Sequence, residues 1–150
     1  MQLWRTFLIL VLTSSLAIGS CFKSNINNKM GTISITKEDF VTKVADYATS
    51  PNQWKYLGDK PCIVDFYATW CGHCRTLMPI LDQLTEEYQD KIYIYKVNVD
   101  KERPLSQAFK IKSLPTLFLC PMNGSPRIIQ GALPKEQLKT LIDSLLITYD

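Results

Sequence analysis

Apolar residues recur along this chain at two periods, and the changes between them mark out the elements. Gly31-Thr32-Ile33-Ser34-Ile35 alternates as a short strand does, and Thr36 with Asp39 reads as a helix N-cap that opens a helix over Lys37 to Tyr47. Ala48 to Pro61, containing Ser50-Pro51, Trp54, Tyr56 and Gly58, reads as a loop or a broken helix. Cys62 to Tyr67 is nearly all apolar, the pattern of a central strand buried on both faces. Leu77, Ile80, Leu81, Leu84 and Tyr88 then stand at helical spacing, predicting a helix from Cys71 to about Tyr88 with a kink at Pro79.

Ile92 to Val99 alternates as a strand, and Pro104 to Phe109 suits a short helix with proline near its first position. Thr116 to Cys120 is the next strand; it turns through Met122-Asn123-Gly124-Ser125 into Arg127 to Gln130, a hairpin with an Asn-Gly signal. Pro134 to Leu146 closes the chain as a helix. The order β-α-β-α-β-α-β-β-α describes an α/β domain with helices on both sides of a mixed sheet.

The first twenty residues are of another kind. Arg5 is their only charged side chain, and Thr6 to Gly19 is apolar, too short for a comfortable span of about 20 residues but suited to the h-region of a secretory signal. The stretch ends in Leu16-Ala17-Ile18-Gly19-Ser20-Cys21, which resembles the bacterial lipobox, in which Cys21 is diacylated and becomes the mature N-terminus. Ordinary cleavage near Gly19 or Ser20 and an uncleaved anchor are the alternatives, and all three place the domain outside the cytoplasmic membrane. This divides the chain into a signal at 1–20, a polar tether at 21–30 and a domain at 31–150. Ten tether residues reach at most about 35 Å, which holds the domain near a membrane surface.

The whole chain of 150 residues has a formal net charge of +3, and loss of residues 1–20 removes Arg5 and no acid, leaving +2. That balance points to neither nucleic acid nor anionic lipid as a partner.

The chemistry is concentrated in Cys71-Gly72-His73-Cys74, preceded by Trp70, between a buried strand and a helix. Two thiols at this spacing can close a disulfide on themselves, and a helix N-terminus stabilises the first as thiolate. The same spacing is half of a zinc site, but the only histidine, His73, lies between the two cysteines and no second ligand pair exists, so no metal is expected. The strand–helix setting favours thiol–disulfide exchange.

With these motifs in place, residues 31 to 147 resemble thioredoxin. The matching pieces are Val64 to Cys74, Lys96-Val97-Asn98-Val99-Asp100, Ser113-Leu114-Pro115-Thr116, and Asn123-Gly124 to Gly131. Closer still, the chain looks like a periplasmic, lipoprotein-like thioredoxin of Bacteroides-type bacteria. The resemblance implies the thioredoxin fold, a central mixed five-stranded sheet flanked by helices on both faces. It also implies a monomer without a bound cofactor. Only 41 positions separate Cys74 from Pro115, which leaves no room for the helical insertion of periplasmic disulfide oxidases.

Cys71, nearer solvent, is expected to attack as thiolate, and Cys74, one turn in, to resolve the mixed disulfide. Asp65, in an apolar run, is expected to have a raised pKa and to relay the Cys74 proton; the alternative is a satisfied polar group at a strand end. By resemblance Lys96 is its charge partner, against the plainer reading of an exposed strand lysine. Pro115 matches the family's cis-proline, with the Leu114 backbone pairing to an extended substrate segment; a plain strand-edge turn is the alternative. Trp70 and Gly131 are expected to line the docking groove unless they are simply structural. Trp54 and Tyr56 are expected to pin their loop rather than to mark a substrate surface.

Gly72 and His73 are the tuning dipeptide. Histidine replaces the proline of the commonest thioredoxins, as in protein disulfide isomerase, and an imidazolium beside the Cys71 sulfur favours the reduced form. Potentials run from roughly −270 mV for thioredoxin to roughly −180 mV for the isomerase, a gap of about 4 kcal/mol. Cys62 and Cys120 fall on strands that are antiparallel neighbours in the thioredoxin fold. Two readings are open for them: a facing pair at the sheet end away from the active site, or two separate buried thiols.

The expected activity is thus disulfide exchange with dithiol or disulfide-bonded proteins of the cell envelope, coupled to a membrane dithiol donor or acceptor. The missing insertion favours a reductase or isomerase, and His73 favours an oxidase. An envelope module that docks partners or carries a soft metal is the alternative outside catalysis.

Overall fold

The computed structural model describes residues 31–49 and 53–147. The expected signal, tether and Cys21 lie outside the described residues. The elements run β1 (Ile33–Ser34), α1 (Lys37–Lys43), β2 (Cys62–Tyr67), α2 (Gly72–Glu87), β3 (Tyr93–Asn98), α3 (Arg103–Ala108), β4 (Thr116–Cys120), β5 (Arg127–Gln130) and α4 (Lys135–Ile142). They form one five-stranded sheet in the order β1-β3-β2-β4-β5. β3 is parallel to β1 and β2, while β4 is antiparallel to β2 and β5. The two crossovers, through α1 and α2, are what parallel neighbours require.

β2 is the central strand, and its side chains alternate between two cores. Cys62, Val64 and Phe66 join Phe40 of α1, Leu105 of α3 and Phe118 of β4. Ile63 faces the other way, into the leucines of α2 and α4: Leu77, Leu81, Leu84 and Leu138. Phe109 centres the first core, with ring centroids 5.2 Å from Phe40 and 5.3 Å from Phe118. Those tilted and edge-on packings are the favoured aromatic geometries.

Two expected helices and one strand differ in extent from the sequence reading. β1 is only two residues long, and just ahead of it the Thr32 N–H donates to Asp82 of α2 at 3.3 Å. α1 starts where expected, with Thr36 and Asp39 forming the full capping box, but it ends at Lys43 rather than Tyr47. The Val44 carbonyl accepts the Leu57 N–H of the following loop at 3.0 Å, and the Asp46 carboxylate takes the Ala48 N–H. The bond that would extend the helix has thus lost both its acceptor and its donor. α2 spans Gly72–Glu87, close to the expected range, with Pro79 inside it. The last helix stops at Ile142 and widens into a π turn over Asp143–Ile147, where Asp143 accepts the Tyr88 hydroxyl at 2.7 Å.

The loop ahead of β2 is held down by its aromatic residues. Trp54 meets Phe109 edge-on at 6.2 Å, and the Tyr56 hydroxyl donates to the Lys60 carbonyl. The Tyr56 ring lies directly on Gly58, where any Cβ would collide with it. No helix among the described residues is long and apolar enough to cross a membrane.

Leu84 is fully buried between α2 and the sheet. Leu84→Ala is expected to lower the unfolding free energy by about 2–5 kcal/mol. Thr36→Ala, at an exposed cap, should cost only about 1 kcal/mol. Urea titrations with unchanged slopes check both, and equal losses would contradict this placement of the core.

Candidate active site

The site forms where β2 hands the chain to α2. β2 ends at Tyr67, a turn closes with the Cys71 N–H on the Ala68 carbonyl at 3.2 Å, and Cys71 becomes the N-cap of α2. Cys71 and Cys74 are joined as a disulfide, with their Cα atoms 5.3 Å apart. The Cys74 N–H donates to the Cys71 sulfur at 3.2 Å. The Cys74 N–H and the positive end of a 16-residue helix are therefore both aimed at Cys71 Sγ, and both favour its thiolate once the bond is reduced.

The two sulfurs are not equally accessible. Cys71 is 6% exposed and Cys74 1%, while Trp70 beside them is 68% exposed. An incoming disulfide meets Cys71 first. Gly72 and His73 are exposed in the first turn of α2. A Cβ on Gly72 would meet nothing closer than Arg75 at 4.0 Å, so glycine is not sterically required there.

A groove of about 520 Å³ opens beside Cys71, walled by Trp70, His73, Val99, Arg103, Lys112 and Leu114. The Leu114–Pro115 bond is cis. Gly131 is not among the wall residues; it is bonded to Pro115, with φ of 89° and its N–H on the Pro115 carbonyl at 2.8 Å. A positive φ of that size is ordinary for glycine and strained for other residues.

Asp65 sits in the middle of β2, 1% exposed, opposite Lys96 of β3 and Leu117 of β4. It alternates with Val64 and Phe66, so its carboxyl is on the α2 side of the sheet. Its Oδ1 has no hydrogen-bond partner among the described residues, which weighs against the reading of Asp65 as a satisfied polar group at a strand end. Burial pushes its pKa up to about 7, against a smaller downward pull from the Lys96 charge. Lys96 is a register neighbour that acts through space, with no ion pair to Asp65 among the described residues.

Sequence reasoning passed over Asp100, Arg103 and Lys112. Asp100 accepts the Trp70 indole N–H at 2.9 Å and so orients the most exposed aromatic ring of the site. Its only signal in the chain was its place at the end of the Lys96-Val97-Asn98-Val99-Asp100 match. Arg103 and Lys112 are exposed side chains from separate segments and reach the groove only through the fold. Cys62 and Cys120 face each other in register at the opposite end of the sheet, both as free thiols. No group of three or more metal-ligating side chains gathers among the described residues.

Comparisons with known proteins converge on one family. The thioredoxin family profile matches residues 31–144. A thioredoxin of Borreliella burgdorferi is 44% identical over 110 residues, covering 73% of this chain and 93% of that protein. One from Alicyclobacillus acidocaldarius is 40% identical over 89 residues, covering 59% of this chain and 85% of that protein. Among solved structures, chloroplastic thioredoxin z superposes with a TM-score of 0.62 at 28% identity, covering 76% of this chain and 93% of its own.

Asp65 makes stability depend on pH in a definite direction. Between its ordinary pKa of 3.8 and its folded value of about 7, the native state holds a proton that the unfolded chain has released. The native state binds more protons there, so stability falls as pH rises through that window and levels off above it. The gap corresponds to about 4 kcal/mol. Asp65→Asn should therefore be close to wild type in urea stability at pH 4 and more stable by up to that amount at pH 8. A difference independent of pH would show that Asp65 is not the buried titrating group.

Proposed function

The chain belongs to the thioredoxin family of protein thiol–disulfide oxidoreductases, and from that premise we propose that it is an exported, lipid-anchored reductase or isomerase of cell-envelope proteins. The observation that carries the chemistry is the Cys71–Cys74 disulfide at the N-terminus of α2, with the outer sulfur at the edge of an open groove and an unpaired carboxyl buried in the strand that leads to it.

In the reductive direction, the Cys71 thiolate attacks a substrate disulfide. One new S–S bond forms, the substrate disulfide breaks, and the leaving sulfur departs as thiolate. The Cys74 thiolate then attacks Cys71 Sγ, releasing the second substrate sulfur and closing the intramolecular disulfide. Two electrons pass from the protein to the substrate. Cys74 is the more enclosed of the two thiols and needs a local base. Asp65, with a pKa raised to about 7, is near neutral balance between its two forms and suits that transfer. Lys96 biases Asp65 towards the ionised form.

The groove walls hold the substrate. Trp70, kept in place by Asp100, supplies an apolar flank, and the Leu114 backbone beside Pro115 offers strand-like pairing to an extended segment. His73 and Gly72 set the driving force through the Cys71 thiolate. A membrane dithiol donor returns the electrons. The envelope location rests on the apolar stretch ending at Cys21, and the exchange chemistry does not depend on it.

Cys71→Ser is expected to abolish insulin reduction with a thiol donor. Cys74→Ser should instead accumulate a mixed disulfide on Cys71; turnover by either variant would contradict the assigned roles. The reduction potential of the pair should lie below about −180 mV, and His73→Pro should lower it further by a few tens of mV. A value at or above the isomerase range would replace the reductase reading with an oxidase. Cys21→Ala should move the protein from the membrane to the soluble envelope fraction, and recovery of wild type in the cytoplasm would overturn the location.

A further inference from the structure

Cys62 opens β2 and Cys120 closes β4, and the two are directly opposed in the antiparallel register. Both are 0% exposed. Their side chains leave the sheet on the same face, into the core that also holds Val64, Phe66 and Phe118. Opposed residues of an antiparallel pair have Cα atoms roughly 4.5 or 5.5 Å apart, and both spacings lie within the range of about 4.4–6.8 Å that a disulfide spans. On Cα spacing the opposed pair is within reach of a disulfide.

Aromatic side chains pack in the core around the two thiols, among them Tyr56, Tyr95, Phe66 and Phe118. The Cys120 thiol also lies 3.8 Å from the Phe118 carbonyl. Contact with Cys62, followed by burial, pushes the Cys120 thiol well up. Tyr56 and Tyr95 pack in the same core as the pair, and each hydroxyl has its pKa raised by burial first and then by Cys62. Tyr56 in turn is held down on Gly58 and bonded to Lys60. The pair is therefore geometrically ready and kinetically shielded. Neither thiol has a part in the exchange at Cys71, which lies beyond the other end of β2, five residues or about 17 Å along the strand from Cys62 to Tyr67.

We propose that Cys62 and Cys120 are a second redox pair, which closes into a cross-strand disulfide by exchange with a low-molecular-weight disulfide and staples β2 to β4. When Tyr56 moves off, the thiolate of one cysteine attacks the small disulfide, forming a mixed disulfide and releasing one small thiolate. The second cysteine, deprotonated, attacks the protein sulfur of that intermediate, closes the Cys62–Cys120 bond and releases the other small thiolate. Two thiols are oxidised, one disulfide is reduced to two thiols, and the two protons end on the small thiols. Closing a loop that runs from 62 to 120 restricts the unfolded chain strongly, so the product is a stabilised domain with an unchanged active site.

The test uses the full chain, reduced with dithiothreitol, freed of it and equilibrated with oxidised glutathione, then acid-quenched, alkylated under denaturing conditions and mapped by mass spectrometry. The expected result is a Cys62–Cys120 linked peptide beside the Cys71–Cys74 one, appearing more slowly in wild type than in Tyr56→Ala. In a Cys71→Ser/Cys74→Ser background, oxidation should raise the Tm by about 10 °C. The same background with Cys62→Ala added should show no rise. Recovery of Cys62 and Cys120 as alkylated thiols or as glutathione adducts, while Cys71–Cys74 is fully oxidised, overturns the proposal. So does a bridge that forms only in Tyr56→Ala. Insulin reduction by Cys71 and Cys74 is read separately, so either result leaves the assignment of the active site standing or falling on its own.

Discussion

The placement of β2 between β3 and β4, paired on both edges and covered on both faces, is the constraint from which the rest follows. A strand so enclosed must be almost wholly apolar, and five of its six residues satisfy that demand. Its two neighbours run in opposite directions, so the sheet is mixed and one end of β2 is met by the start of β4. That end is where the chain leaves β2 for α2. The cis Leu114–Pro115 bond and the Cys71–Cys74 disulfide therefore meet at one end of the sheet, although 41 positions separate Cys74 from Pro115.

Asp65 is the exception within that strand, and its cost and its use have the same origin. A carboxyl at 1% exposure with one oxygen unbonded has lost its hydration, and burial outweighs the attraction of Lys96. A packed leucine at this position would serve stability better at neutral pH. The raised pKa is what makes the group able both to take and to give a proton under those conditions. Destabilisation in β2 and acid–base competence under α2 are one physical fact.

The loop ahead of β2 shows how the far end of the sheet is finished. The expected longer α1 gives way there because Leu57 and Asp46 take up the backbone groups that would have extended it. The released segment lays Trp54 and Tyr56 over the first core. Gly58 is fixed by contact, since the Tyr56 ring occupies the space of a side chain. Cys62 and Cys120 are sealed beneath this cover.

Much of this was legible in the chain because it depends on local pattern. The element order, the Thr36 cap, the Thr116–Cys120 strand and the Asn-Gly hairpin are set by period, capping chemistry and turn residues, all of which act over a few positions. The Cys71–Cys74 pair, too, was evident from spacing, because three residues on a helix start bring two thiols together whatever else the fold does. Tertiary structure decided where α1 stops, since the Val44 carbonyl that would carry it on is taken by Leu57 of the following loop. It also decided that Asp100 holds Trp70, that Arg103 and Lys112 reach the groove, that Gly131 is bonded to Pro115, and that Asp65 Oδ1 has no hydrogen-bond partner among the described residues. Those properties arise from packing between segments far apart in sequence, and packing depends on three-dimensional neighbours that no local pattern encodes.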